Sequence, residues 1–333
     1  MVKIVTYAHK RPDFIILQYE SIKKHLKSTY EYVVFNNSID DQKSYEEIKT
    51  ICKNLNIRCI DVELIDELRV TQGDTNFNGN KYTNPNLACS YPIIWSFKKI
   101  FNEEDDIICI IDSDMFFIKD IDIEHEISNK DIICIPQYRD KGKIKYLWNA
   151  FVCLNIKRNK NLLSLNWHPG SINGVGCDVG GQTHFNLKEN NYDIVVVEEF
   201  SIYDIKYNNN YKKISYIQNG NISFDVNIKD ELISVVHTSG DKIYENRSFS
   251  HEMEFDDHEK YIFNRVCTIN SIFENHNLNF PDPKHIAFIG FPNKIDYFIV
   301  HYKSGSNYLR FTTDEYNRLK TIELKKLLSN DNI

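Results

Sequence analysis

The feature that most constrains the fold is an uninterrupted apolar run, Ile107–Ile111, which leads directly into Asp112-Ser113-Asp114. Such a run, bounded by polar residues, is typical of a buried strand in a parallel sheet. Ligands of open α/β sheets bind at the C-terminal edge of the strands, which is where these two carboxylates lie. Since residues i and i+2 of an extended chain point the same way, both side chains can face one ion. The alternative interpretation is a strand end followed by a solvated acidic turn.

Before this run, strand-like and helix-like segments alternate. They are a strand at 3–8, a helix at 12–26, a strand at 30–35, a helix at 45–55 and a strand at 58–62. This alternation predicts a parallel, doubly wound half-sheet, in which the loops after the first two strands hold a nucleotide. Neither Gly-x-Gly-x-x-Gly nor a P-loop follows the first strand, which argues against a dinucleotide enzyme and a P-loop NTPase. The candidate nucleotide contacts in these loops are Thr6, Tyr7, Arg11 and Asn36.

Composition excludes some classes of partner. The 40 basic and 47 acidic residues give a net charge of −7, with no basic stripe, so we expect no nucleic-acid partner. None of the eight cysteines forms a Cys-x-x-Cys pair, which argues against structural zinc. Cys109, Cys134 and Cys153 lie inside apolar strand-like runs, as reduced buried thiols do, which favours a reducing compartment. We see no signal-peptide pattern and no apolar run approaching the roughly 20 residues that span a bilayer. The expectation is therefore a cytoplasmic protein without a transmembrane segment.

Three further motifs follow the Asp-x-Asp strand. Trp148-Asn149-Ala150 lies within a strand-like segment, and a glycine-rich segment at 170–181 contains Asp178 and precedes Gln182. Glycines allow backbone to approach a ligand closely, although a tight turn before a helix explains them equally well. A later strand ends in His237-x-x-Gly240-x-Lys242. The character of the chain changes after that, which predicts a domain at 1–245 and a small C-terminal α+β extension at 246–333.

This order of motifs resembles the GT-A fold of nucleotide-sugar glycosyltransferases, and more narrowly it is similar to the glycogenin-like transferases of family 8. The resemblance implies an α/β fold with a Rossmann-like, mostly parallel mixed sheet flanked by helices. It also implies that Asp112, Asp114 and His237 hold Mn²⁺ or Mg²⁺ against the donor diphosphate. Oxygen ligands suit both ions, and an imidazole favours Mn²⁺.

The implied activity is metal-dependent transfer of a sugar from a nucleoside-diphosphate sugar, with UDP expected, to a hydroxyl acceptor. The acceptor could be a glycan, a protein or a small molecule. Lys242 and Arg11 would contact the phosphates, Tyr7 would stack on the base, and Asn36 would hydrogen-bond it. Asn149 would contact the donor sugar.

The catalytic group depends on the stereochemical outcome. An inverting reaction needs a carboxylate base, for which Asp178 is the first candidate, followed by Glu198 and Glu199. In a retaining reaction, Gln182 or Asp178 would instead support the sugar cation.

The sequence departs from family 8 in two places. Lys242 follows Gly240 by two residues where the family has three, and the family's Asn-Ser-Gly is Asn149-Ala150-Phe151 here. A sugar nucleotidylyltransferase, a haloacid-dehalogenase-type phosphatase and a non-catalytic sugar-binding module remain alternatives. The nucleotidylyltransferases normally have a glycine-rich first loop, and this chain has no glycine before residue 36. The phosphatases need Thr or Val at the position of Phe116.

Overall fold

The computed structural model describes residues 1–65, 85–208, 211–217, 221–227, 233–239, 242–249, 268–269, 271–272, 275–278, 286–292, 296–302 and 314–329. For 85 and 296, for the described residues between 201 and 249, and for 314–320 it describes the backbone alone. The chain divides into two compact units, Met1–Val197 and Glu198–Ile333.

The first unit is built on a seven-stranded mixed sheet. The strands of the whole unit, of which β5, β8 and β9 lie outside this sheet, are β1 (Val2–Ala8), β2 (Tyr30–Asn36), β3 (Arg58–Asp61), β4 (Ile107–Ile111), β5 (Met115–Phe117), β6 (Ile132–Arg139), β7 (Ile144–Asn155), β8 (Gly170–Ile172), β9 (Val175–Cys177) and β10 (Ile194–Val196). The sheet order is β10-β6-β7-β4-β1-β2-β3, and β8 and β9 form a separate hairpin. Only β7 runs antiparallel to its neighbours in the seven-stranded sheet.

The helices of this unit are α1 (Pro12–His25), α2 (Gln42–Asn54), α3 (Pro85–Lys99), α4 (Ile123–Ile127) and α5 (Thr183–Glu189). Two short 3₁₀ segments lie at Asp140–Gly142 and Lys160–Ser164. Helix α1 begins with Pro12 at its first turn, where a missing N–H costs nothing. Every residue of β4 is buried, as the apolar run predicted. The predicted α/β class, a mostly parallel mixed sheet with flanking helices, is confirmed and is consistent with a Rossmann-like GT-A fold.

The second unit is an antiparallel sheet with a helix. Its strands are β11 (Glu198–Asn208), β12 (Tyr211–Ile217), β13 (Asn221–Asn227), β14 (Ile233–Ser239), β15 (Lys242–Phe249), β16 (Ile286–Phe291) and β17 (Asp296–Tyr302), and its helix is α6 (Asp314–Ser329). They follow the order β15-β14-β13-β12-β11-β16-β17. All six residues of β16 are buried, so this strand forms the apolar centre of the described sheet.

The compact units divide after Val197, whereas the sequence places a domain boundary at 245. Whether the donor-binding domain extends to 245 stays a prediction. None of the helices within the described residues is long and apolar enough to cross a membrane.

Candidate active site

The two aspartates of the Asp-x-Asp motif lie in a tight turn between β4 and β5. The main-chain N–H of Asp112 donates to the carbonyl oxygen of Ala150 on β7 at 2.8 Å, and the N–H of Met115 donates to the carbonyl oxygen of Asp112 at 3.1 Å. This i to i+3 bond closes a turn, so the chain does not continue in the extended form that the sequence argument assumed. Even so, a carboxylate oxygen of Asp112 and one of Asp114 lie within 4.8 Å of each other.

Asp114 is almost completely buried, with 5% of its surface exposed, and Asp112 is half-buried. Burying a carboxylate is costly unless charge or hydrogen bonds compensate it. Two acidic groups this close, at the C-terminal end of a buried strand, therefore suit a hard divalent cation.

Asp178 shares a neighbour, Cys89 on α3, with the two aspartates of the turn. Desolvation raises the pKa of the Cys89 thiol to about 12, and the negative charges of Asp112, Asp178 and Asp114 add to the shift. A negative charge near a thiol disfavours the thiolate, so each contribution reports a carboxylate in the neighbourhood of Cys89.

The glycine-rich segment is fixed against the start of β7. Oγ1 of Thr183 donates to the carbonyl oxygen of Gly180 at 2.6 Å and accepts from the N–H of Leu147 at 2.9 Å. Gly180 has a φ of +81°, and a Cβ there would lie 2.2 Å from the Leu147 carbonyl oxygen. Only glycine combines this backbone conformation with so close an approach.

This attachment holds Asp178 against Tyr146 of β7. The N–H of Asp178 donates to the Tyr146 hydroxyl at 3.3 Å, and the Asp178 carboxylate accepts from the N–H of Val179 at 2.8 Å. Asn149 follows Tyr146 by three residues on β7 and is half-buried. The side-chain amide of Gln182 abuts Gly170, where an added Cβ would lie 2.8 Å from Nε2.

The predicted base contacts at the end of β1 are mostly engaged within the protein. The hydroxyl of Tyr7 shares a 2.7 Å hydrogen bond with Oγ of Ser96, and its ring stacks on Phe35 with centroids 5.2 Å apart. Burial raises the pKa of Tyr7, so its hydroxyl stays protonated. Thr6 is fully buried, and its Oγ1 has no hydrogen-bond partner among the described residues. That these two residues contact the nucleotide stays a prediction.

Arg11 and Asn36 also have internal partners. The guanidinium of Arg11 donates to both carboxylate oxygens of Asp13, at 2.9 and 2.7 Å, and lies 3.5 Å from the centre of the Phe14 ring. The amide of Asn36 donates to the Tyr45 carbonyl at 3.1 Å and accepts from the N–H of Ser38 at 3.2 Å. Asn36 therefore shapes the loop after β2, and its donor contact stays a prediction.

The loops after β1 and β2 are joined by an ionic cluster. Asp40 lies 3.0 Å from Nε2 of His9 and accepts from Nζ of Lys10 at 2.7 Å. Desolvation alone would raise the pKa of Asp40, but the hydrogen bonds from Lys10 and His9 outweigh it and lower that pKa. The two loops that the sequence assigned to the nucleotide therefore form one connected structure.

The second unit contains the remaining predicted ligands. His237 lies on β14 and Lys242 begins β15, but their side chains are outside what the structure describes, so both assignments stay predictions. On β17, Nδ1 of His301 lies 2.8 Å from Oε1 of Glu199 on β11. Among the described residues of the first unit, Asp112 and Asp114 could both be ligands of a metal ion.

Sequence reasoning missed Tyr146 and Thr183, which support the segment that carries Asp178. Neither residue belongs to a motif. Their roles follow from contacts between segments that are distant in the chain, for which spacing carries no signal.

No protein-family model matches this chain, and neither does any curated protein sequence. Among solved structures, the crystal structure of an active-site mutant of the glycosyltransferase LgtC is similar to part of it. The identity is 14%, the TM-score is 0.32, and the match covers 47% of this chain and 58% of that chain. The match thus covers little more than half the length of that protein.

Proposed function

We propose that this protein is a metal-dependent glycosyltransferase, which moves a sugar from a nucleoside-diphosphate sugar to a hydroxyl acceptor. The observation that carries the proposal is the Asp112–Met115 turn. It sets two carboxylates, one of them nearly buried, within 4.8 Å of each other at the C-terminal end of β4. Two adjacent acidic groups at this edge of an α/β sheet suit an ion that bridges the protein to a phosphate-bearing ligand.

Asp112 and Asp114 would hold the ion, with His237, the histidine that the sequence predicts, as the third ligand. A divalent cation, when bound, stabilises the negative charge that develops on the departing diphosphate. Mn²⁺ is the expected ion, because an imidazole joins two carboxylates in this ligand set.

The other predicted residues would surround the donor. The loops after β1 and β2 would hold the nucleotide, with UDP as the expected form, and Lys242 would contact its phosphates. Asn149 would contact the sugar. Asp178 would accept the proton of the acceptor hydroxyl in an inverting reaction, whereas Asp178 or Gln182 would face the sugar cation in a retaining one.

The test is to incubate the protein with UDP- and GDP-sugars in the presence of Mn²⁺ and to measure release of free nucleoside diphosphate. Turnover that depends on Mn²⁺ and is lost in Asp114→Asn supports the proposal. Absence of both turnover and Mn²⁺-dependent nucleotide binding would refute it.

Two other outcomes would indicate a different enzyme. Release of phosphate from simple monoesters would indicate a phosphatase, and release of pyrophosphate from nucleoside triphosphates with a sugar phosphate would indicate a nucleotidylyltransferase. Sugar-nucleotide binding with no turnover would indicate a binding module. Lys141→Ala, at an exposed position in the β6–β7 hairpin, is a suitable control variant.

A further inference from the structure

The Asp112–Met115 turn is held by a glutamine of the neighbouring helix. Nε2 of Gln18, on α1, donates to the carbonyl oxygens of Asp112 and Met115, each at 2.9 Å. Gln18 is 1% exposed and lies on the buried face of α1. A glutamine in such a position is costly unless its amide is hydrogen-bonded, so these two bonds account for a polar residue there.

Tyr32 fixes the orientation of this amide. Its hydroxyl donates to Oε1 of Gln18 at 2.6 Å. Because the carbonyl end of an amide only accepts and the NH₂ end only donates, this bond directs the NH₂ group towards the turn. Both amide hydrogens and the amide oxygen therefore have partners, and the network is complete.

We propose that Gln18 is a positioning residue for the metal-binding turn. It fixes the backbone on both sides of Asp114, so that the Asp112 and Asp114 carboxylates are held ready for one divalent ion. The inference rests on the proposed function, because Gln18 acts only through these two aspartates. Partners that orient metal ligands typically contribute about 10- to 100-fold to metal affinity.

The test is Gln18→Met, which keeps the length of the side chain and removes its hydrogen bonds. We expect its affinity for Mn²⁺, measured by electron paramagnetic resonance of the free ion without substrate, to fall about 10- to 100-fold. The matched control is Ser21→Ala on the same face of α1. Ser21 accepts from the N–H of Phe117 at 3.2 Å, so its removal weakens packing behind β5 without touching the turn carbonyls.

We expect Ser21→Ala to lower the melting temperature and to leave Mn²⁺ affinity within about twofold of wild type. Equal Mn²⁺ affinity in wild type and a folded Gln18→Met would overturn the inference while leaving the proposed function intact. An equal loss in Ser21→Ala would also overturn it, since the effect would then be general destabilisation. If wild type itself fails to bind Mn²⁺, the proposed function is refuted first.

A second variant covers the case in which Gln18→Met does not fold. Gln18→Asn keeps an amide but is shorter by one methylene group, so it cannot span both carbonyl oxygens. We expect a smaller loss of Mn²⁺ affinity in the same direction. Unchanged affinity in folded Gln18→Asn would count against the role of Gln18.

Discussion

His301 and Glu199 form a buried pair in the second unit, with Nδ1 of the imidazole 2.8 Å from a carboxylate oxygen. They lie on β17 and β11, the two strands that flank β16. A carboxylate this close to one ring nitrogen fixes the tautomer and the orientation of the imidazole.

Replacement of His237 by alanine is expected to lower Mn²⁺ affinity by about tenfold or more, because the imidazole ligand that the sequence predicts is lost. The measurement is titration of Mn²⁺ followed by electron paramagnetic resonance. His276→Ala is the control for loss of another histidine, and we expect it to leave Mn²⁺ affinity unchanged. Equal Mn²⁺ affinity in His237→Ala and in wild type would show that the predicted third ligand is wrong.

Gly174 and Gly180 allow backbone strain and steric overlap to be separated. Both have a φ of +81°, but an added Cβ meets nothing within 4 Å at Gly174 and lies 2.2 Å from the Leu147 carbonyl oxygen at Gly180. We expect Gly174→Ala to lower the free energy of unfolding by about 1–2 kcal/mol, and Gly180→Ala to lower it by roughly 2–5 kcal/mol. Urea denaturation provides the measurement. Equal losses would show that the close approach to Leu147 has no energetic consequence.

Thr183 links the glycine-rich segment to β7, so its hydroxyl is expected to affect both stability and turnover. Thr183→Val leaves the N–H of Leu147 without its partner, which should cost about 1–3 kcal/mol of unfolding free energy. Release of nucleoside diphosphate should also slow, because this link supports the segment that carries Asp178. Thr183→Ser keeps the hydroxyl and should retain most of both properties. A Ser variant as impaired as the Val variant would indicate that the methyl group matters instead.

Acidification should destabilise the protein through three histidines. Desolvation lowers the pKa of His9, His25 and His168 from the model-peptide value of 6.5. The unfolded chain therefore binds more protons than the folded one as the pH falls through 6.5, and the free energy of unfolding decreases. We expect the melting temperature to fall between about pH 7.5 and about pH 5.5. The fall should be smaller in His168→Gln, and an equal fall in that variant would exclude a contribution from His168.

Much of the first unit could be predicted because its pattern is local. The apolar run at 107–111 and the helix that starts at Pro12 depend on neighbouring residues, and both lie where the sequence placed them. In contrast, the sequence analysis predicted none of the antiparallel strands between 198 and 227, although Asn221–Asn227 alternates strictly between polar and apolar residues.

The site was predictable only in part, because the side chains that hold its loops in place come from residues far away along the chain. Asp-x-Asp at a strand end is visible in the sequence, whereas Gln18 is 94 residues from Asp112 and resembles any polar residue on a helix. Tyr7 and Arg11 were assigned to the nucleotide from their place in a loop. Their contacts with Ser96 and Asp13 depend on packing that no local pattern specifies.

The antiparallel strand β7 has a consequence for how such a chain can diversify. Ile111 pairs with Phe151, whereas Pro136 to Arg139 pair with Leu147 to Ile144, so the β6–β7 hairpin extends past the level of Asp112. Its tip, Asp140–Gly142, is exposed. Insertions and deletions there would leave the register at Asp112 and Ala150 unchanged. Descendants of this chain could therefore vary in length and composition at the hairpin tip while inheriting the Asp112–Met115 turn intact.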